Sequence, residues 1–299
     1  MADAQWSPGR RAGDADEFLP VLDLIEPIRQ RRLTVLVRLI LLIPHFVVLF
    51  FLEIAAFFTA VFGWFAALVL GRLPEPVFRF LAGVLGYRTR VGASGMLLID
   101  RYPPFALNPP PDYPVQIDVR PTRLNRLAVF FRLILVIPAA IVQSLVTSGW
   151  SVLAILWWLI TLILGRMPRP LFQATAATLR YDMRVTAYMS LLSPAYPKRL
   201  FGEDALSVPE RQGHSATRPL VMSGAAKALV VLFLVLGLAS AISTSFTRSS
   251  SDDTDTWMRQ QSDRGVRAGS AGRLYQGTES SGTAAGGGVN PDSRVTRGV

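Results

Sequence analysis

Arg38-Leu-Ile-Leu-Leu-Ile-Pro44 recurs as Arg132-Leu-Ile-Leu-Val-Ile-Pro138, and Leu70-Gly-Arg-Leu-Pro-Glu-Pro-Val-Phe78 recurs as Leu164-Gly-Arg-Met-Pro-Arg-Pro-Leu-Phe172. Tyr87, Arg90 and Val91 return as Tyr181, Arg184 and Val185, and Tyr102-Pro103 as Tyr196-Pro197. All these pairs share one offset of 94 residues without a gap, and 31 of the 77 positions between Pro27 and Pro103 are identical in the second copy. The matches include Arg, Gly, Pro and Trp, so they exceed what two greasy segments share by composition. The chain is therefore two tandem copies of one unit followed by a C-terminal extension.

Each copy carries an apolar run near 38 residues, Leu33–Leu70 and Leu127–Leu164. The chain is 51% hydrophobic and only 17% charged, which excludes an ordinary soluble domain and points to an integral membrane protein. As a single helix each run would reach about 57 Å, almost twice the roughly 30 Å hydrocarbon core. The sequence thus predicts that each run folds as a transmembrane hairpin, with helices over 33–51 and 55–70, then 127–145 and 151–164. The polar stretch Gln143–Gly149 marks the expected tip in copy two, and Glu53 the wet tip in copy one. The short second arms leave shallow or re-entrant hairpins open. Arg29, Arg31 and Arg32 precede the first run, with Arg72 and Arg79 after it; Arg123 and Arg126 precede the second, with Arg166 and Arg169 after it. Basic residues on both flanks place both ends of each run on the cytoplasmic side.

Outside the runs, Val77–Leu85, opened by Pro76, reads as an interfacial or packing helix, and 171–179 as its weaker copy. Asp182–Leu191 alternates apolar and polar, which predicts a half-buried strand, with Arg88–Leu98 as its counterpart. Val115–Val119 is a second alternating strand, and Val21–Ile25 its partner in copy one, with Asp23 one place out of phase. Each unit would then bracket its hairpin with two short strands paired as a small cytoplasmic sheet, and all four strands could join into one sheet across the copies. Ala225–Ser243 is a single C-terminal span. The resulting division is a disordered N-terminus (1–19), repeat 1 (20–108), repeat 2 (109–200), a polar linker (201–224), the C-terminal transmembrane helix (225–245) and a disordered tail (246–299) on the extracytoplasmic side. The fold class is an α-helical integral membrane protein with a minor β component. The first apolar run begins only at Leu33, so no cleaved leader is expected and the first helix serves as its own insertion signal.

The same motifs resemble the bacterial membrane-protein family of unknown function DUF4389. Copy one shows its hallmarks as Ile43-Pro44-His45-Phe46, Trp64, Gly71-Arg72-Leu73-Pro74, Arg88 to Val91, and Asp100 to Phe105. Copy two departs, with Ala139 for the histidine and Pro194-Ala195 for the Asp-Arg. The resemblance spans about residues 20–200 and implies a membrane location without an activity.

For function, the chain has no cysteine and only two histidines, His45 and His214, so no metal site, cofactor or catalytic centre is expected. The net charge of +10 comes almost wholly from arginine, lysine occurring only at Lys198 and Lys227. These arginines flank apolar runs and form no basic domain, which argues against nucleic acid and for anionic lipid headgroups as the partner. Candidate headgroup or intramembrane contacts are Arg38, Arg132, Arg72, Arg166, Arg90, Arg184 and His45. Arg38 and Arg132 lie one turn inside the runs, either snorkelling to phosphate or meeting a ligand within the bundle. His45 serves local packing or proton chemistry. Two readings follow. The first is a noncatalytic membrane scaffold at the plasma membrane, with a protein partner or a second copy possible. The alternative is a small transporter, channel or lipid-handling protein with a site between the repeats.

Overall fold

The computed structural model describes residues 19–25, 29–202 and 220–244. The expected disordered termini, most of the polar linker and His214 lie outside the described residues. The chain up to Ala241 forms one compact unit; Ile242–Thr244, the last described residues, belong to a second.

In chain order the elements are strand β1 (Val21–Leu24), helix α1 (Arg32–Leu70), α2 (Glu75–Gly95), strand β2 (Val115–Asp118), α3 (Arg126–Phe130), α4 (Arg132–Val152), α5 (Ala154–Leu164), α6 (Arg169–Met189) and α7 (Gly224–Thr244). Helices α1, α4 and α7 are long and apolar enough to cross a membrane.

The expected hairpin within each apolar run is not formed. Helix α1 runs unbroken for 39 residues through Pro44 and Glu53. Glu53 needs no wet tip, because Arg88 of α2 donates to its carboxylate at 2.9 Å. In copy two the run is one path with single-residue interruptions at Phe131 and Leu153, across which hydrogen bonds resume from Leu135 N to Phe131 O and from Trp157 N to Leu153 O, both 2.9 Å. The polar Gln143–Gly149 stretch is a contact seam: Gln143 bonds Asp182 of α6, and Gly149 lies against α7.

The chain instead reverses at the Gly-Arg-x-Pro turns. Gly71 and Gly165 take φ of +69° and +64°, the left-handed conformation that ends a helix and that glycine adopts without a Cβ clash. Pro76 and Pro170 then sit in the first turn of α2 and α6. The hairpin arms are therefore α1 with α2 and α4–α5 with α6.

The strands expected over 88–98 and 182–191 are also absent; residues 88–95 and 182–189 close 21-residue helices. The alternation misled because α6 is enclosed nearly all round. Met183, Val185 and Ala187 are buried, but so are Arg180, Arg184 and Tyr188. Because polar and apolar side chains of this helix are enclosed alike, alternation in polarity does not report a solvent face. The turns after α2 and α6 close alike, on Leu97 and Leu191 with φ of 62° and 64°. Burial of both leucines and the closing bonds Leu98 N to Ala93 O and Leu192 N to Ala187 O, each 2.9 Å, offset that strain.

The other two expected strands form, over Val21–Leu24 and Val115–Asp118, but they pair with each other across the copies and not within a unit. β1 and β2 are antiparallel, with Val21 opposite Asp118 and Leu24 opposite Val115. Because Val21 is the copy-one equivalent of Val115, and Leu24 of Asp118, this register is symmetric about its own centre. The same two-fold relation recurs elsewhere. Trp64 Nε1 donates to Val129 O at 3.0 Å, and its equivalent Trp158 to Val35 O at 2.9 Å. Gln30 N donates to Gly165 O, and Leu124 N to Gly71 O, both at 2.9 Å. If residue i of one copy meets j of the other, the equivalents of j and i also meet, which is the signature of an isologous two-fold interface. The two copies pack within one chain as a symmetric dimer does.

Helix α7 packs on copy two. Gly149 lies against the backbone of Phe233, and Gly237 against that of Leu145, so α7 runs antiparallel to α4 through two backbone-to-backbone contacts. The Trp157 and Phe233 rings meet edge-on beside this seam, at 6.2 Å between centroids.

Candidate functional site

The candidate arginines divide into two sets. Arg38, Arg132, Arg90 and Arg184 are 1–4% exposed and act as internal clamps on backbone carbonyls. Arg38 donates to Ile99 O at 2.6 Å and Ser94 O at 3.3 Å, and pairs with Asp100 at 3.2 Å. Copy two has Pro194 in place of that aspartate. Arg132 there donates to Ser193 O at 2.5 Å and lies 4.1 Å from the centroid of the Tyr188 ring, a cation–π contact in place of the ion pair. Arg90 donates to Ala106 O and to Leu107 O (3.2 Å), tying the loop after α2 to its helix. Arg184 donates to Pro20 O at 3.2 Å and Lys198 O at 3.1 Å, while Arg180 reaches Leu22 O at 3.3 Å. These side chains face the interior and are occupied by the chain's own carbonyls. Arg90→Leu removes the donor from two loop carbonyls, each worth about 1–3 kcal/mol when orphaned. The expected result is a lower thermal midpoint and faster proteolysis within 100–112; unchanged protection there would refute the clamp.

Arg72 and Arg166 are exposed at the reversal turns. Arg29, Arg31, Arg32, Arg79, Arg123, Arg126 and Arg169 are exposed beside the same helix ends. Arg32 of copy one also donates to Ile163 O at 3.1 Å, placing a cation on the carbonyl end of α5.

His45 is fully buried. Its Nδ1 lies 2.6 Å from the Tyr87 hydroxyl, and its ring stacks on Phe105 at 4.0 Å and 9° between planes. Tyr102 adds a tilted contact at 4.8 Å and donates to Leu41 O at 3.1 Å. The Ile-Pro-His-Phe motif and the Asp-Arg-Tyr-Pro-Pro-Phe motif thus meet in space, which favours the packing role. In the loop beyond, burial pushes the Tyr113 phenol up to about 12, so it stays protonated and donates to Arg101 O at 3.2 Å.

One group of residues went unrecognised as a group in the sequence. Arg88 of α2 pairs with Glu53 of α1 at 2.9 Å and with Asp182 of α6 at 3.7 Å, and Asp182 accepts from Gln143 of α4. Arg88 and Asp182 are equivalent positions, so they meet where the two copies cross. Identical residues there would oppose like charges. The opposite charges at one offset were a readable signal of this contact.

Two apolar grooves of about 360 and 310 Å³ are likewise equivalent. Leu39, Leu97, Ala154 and Trp158 of the first answer to Leu133, Leu191, Ala60 and Trp64 of the second.

This architecture defines a class: a two-repeat helical protein with long apolar helices of the membrane type, its copies joined by a pseudo-two-fold axis. The DUF4389 family, a domain of unknown function, matches residues 32–106 and 126–200, and the chain belongs to it in two tandem copies. No curated protein and no solved structure matches the chain.

Proposed function

We propose that the chain is a noncatalytic module of the plasma membrane that binds anionic lipid headgroups through its exposed helix-end arginines. The carrying observation is the division of labour among arginines: the buried set is engaged with the protein's own carbonyls, while Arg72, Arg166 and their neighbours ring the ends of helices whose outer faces are Leu, Ile, Val and Phe. Such cations beside hydrocarbon suit phosphate. The Glu53–Arg88–Asp182–Gln143 group is satisfied by its own ion pairs and hydrogen bonds, which favours scaffolding over transport. A protein partner or a second copy is compatible with the same surface.

Replacing Arg72, Arg123, Arg166 and Arg169 together by Gln tests this. Each cation near an anionic surface is worth about 1 kcal/mol, so apparent affinity for phosphatidylglycerol vesicles should fall at least 100-fold. The wild-type preference for anionic over zwitterionic vesicles should weaken with salt. Equal binding to both at low salt would overturn the headgroup reading.

A further inference from the structure

We infer that both copies share one orientation in the membrane, with the four ends of the two apolar runs, α1 and α3–α5, at a single headgroup layer and their apolar faces in the hydrocarbon beneath it. This deepens the lipid-binding reading and rests on it.

Rotation about a two-fold axis leaves height along that axis unchanged. Gln30, just before α1, bonds Gly165 at 2.9 Å, and Gly165 is the image of Gly71, just after α1. The two ends of α1 therefore lie at nearly equal heights along the axis, and the bond from Leu124 to Gly71 repeats this for α3–α5. A helix that crossed the bilayer along this axis would separate its ends by about 30 Å.

An axis lying in the membrane plane would instead make the copies inverted, with ends on opposite faces. The sheet excludes that orientation. β1 and β2 pair symmetrically across the axis, so an in-plane axis would hold them at the bilayer midplane. Asp118 and exposed Arg120 flank this two-stranded sheet, and Asp112 and Arg101 pair on the exposed loop beside it. Exposed charged side chains are costly in hydrocarbon. With the axis along the membrane normal, the sheet is in water.

The arginines agree independently. Arg31, Arg32 and Arg166 gather where α1 begins and α5 ends; Arg72, Arg123 and Arg126 gather where α1 ends and α3 begins. With Arg29 beside the first cluster, both ends are basic, which fits one anionic surface and contradicts the charge asymmetry of a single span.

Because the chain has no cysteine, single cysteines at Arg31, Arg72, Arg123 and Arg166 report the sidedness of each end without background. Phe58, mid-helix and exposed, reports the hydrocarbon. Right-side-out and inverted membrane vesicles are treated with an impermeant thiol reagent. The expected result is labelling of all four ends from the same face and of Phe58→Cys from neither. Labelling of positions 31 and 166 from one face and 72 and 123 from the other would overturn the inference and make the copies inverted. Exposed positions 29, 75, 121 and 169 form a second set against local misfolding. Failure of the lipid-binding reading is separate: all positions, including 58, would label without vesicle disruption, and the protein would not float with lipid.

Discussion

Gly149→Leu detaches α7 from the two-repeat unit. A Cβ at Gly149 would overlap the carbonyl group of Phe233, and at Gly237 the carbonyl of Leu145. Both obstacles are backbone, so no side-chain rotation relieves them. Helices that approach this closely tolerate nothing larger than glycine at the crossing. Overpacking of a rigid contact typically destabilises by about 1–3 kcal/mol, and backbone overlap places this variant at the upper end. In detergent the thermal midpoint should fall by about 6–12 °C, at roughly 2–4 °C per kcal/mol for a chain of this size. Gly237→Leu should reproduce the shift, and the double variant should add little once the helix is displaced. Gly224, with open space around it, serves as control: Gly224→Ala should be neutral. Two additive shifts, or none, would show that α4 and α7 do not meet at these glycines.

Asp182→Arg should be the most damaging single charge change. It places two guanidinium groups where the copies cross, removes one of the two carboxylates facing Arg88, and leaves Gln143 without its acceptor. Breaking a well-buried ion pair removes about 3–5 kcal/mol; Asp182 is 19% exposed and Arg88 39%, so water reduces the expectation to about 2–4 kcal/mol. Thermal unfolding in detergent measures it. Gln143→Glu in the same background supplies a carboxylate to the new arginine and should restore about half the loss. Arg88→Gln should be milder than Asp182→Arg, since it introduces no like-charge contact. A neutral Asp182→Arg would mean that the two copies do not cross at this pair.

The repeat, its register and the reversal turns were legible because they depend on local chemistry. A Gly-Arg-x-Pro turn ends one helix and starts the next with residues suited to those backbone angles, whatever surrounds them. The strands β1 and β2 were legible for the same reason, their alternation being local, whereas their pairing with each other across the copies was not. The hairpin tips and two of the expected strands were misread because Glu53, Gln143 and the 182–191 alternation acquire their meaning from partners distant in sequence. A carboxylate inside an apolar run reads as a wet tip until Arg88 is seen beside it. Likewise Arg38, Arg90, Arg132 and Arg184 have the composition of headgroup contacts, and only the fold turns them inward to carbonyls.

The sequence by itself determined that this is a two-copy protein with membrane-type helices, arginine-flanked and free of cysteine, because periodicity, composition and charge position are properties of the chain in order. Only the tertiary structure decided which arginines remain exposed, that Arg88 and Asp182 meet between the copies, and that the two ends of each apolar run lie at similar heights along the pseudo-two-fold axis. Those are consequences of the two-fold packing of one copy on the other. Such packing is set by the sum of many weak contacts between residues about 94 positions apart, and no single segment encodes it.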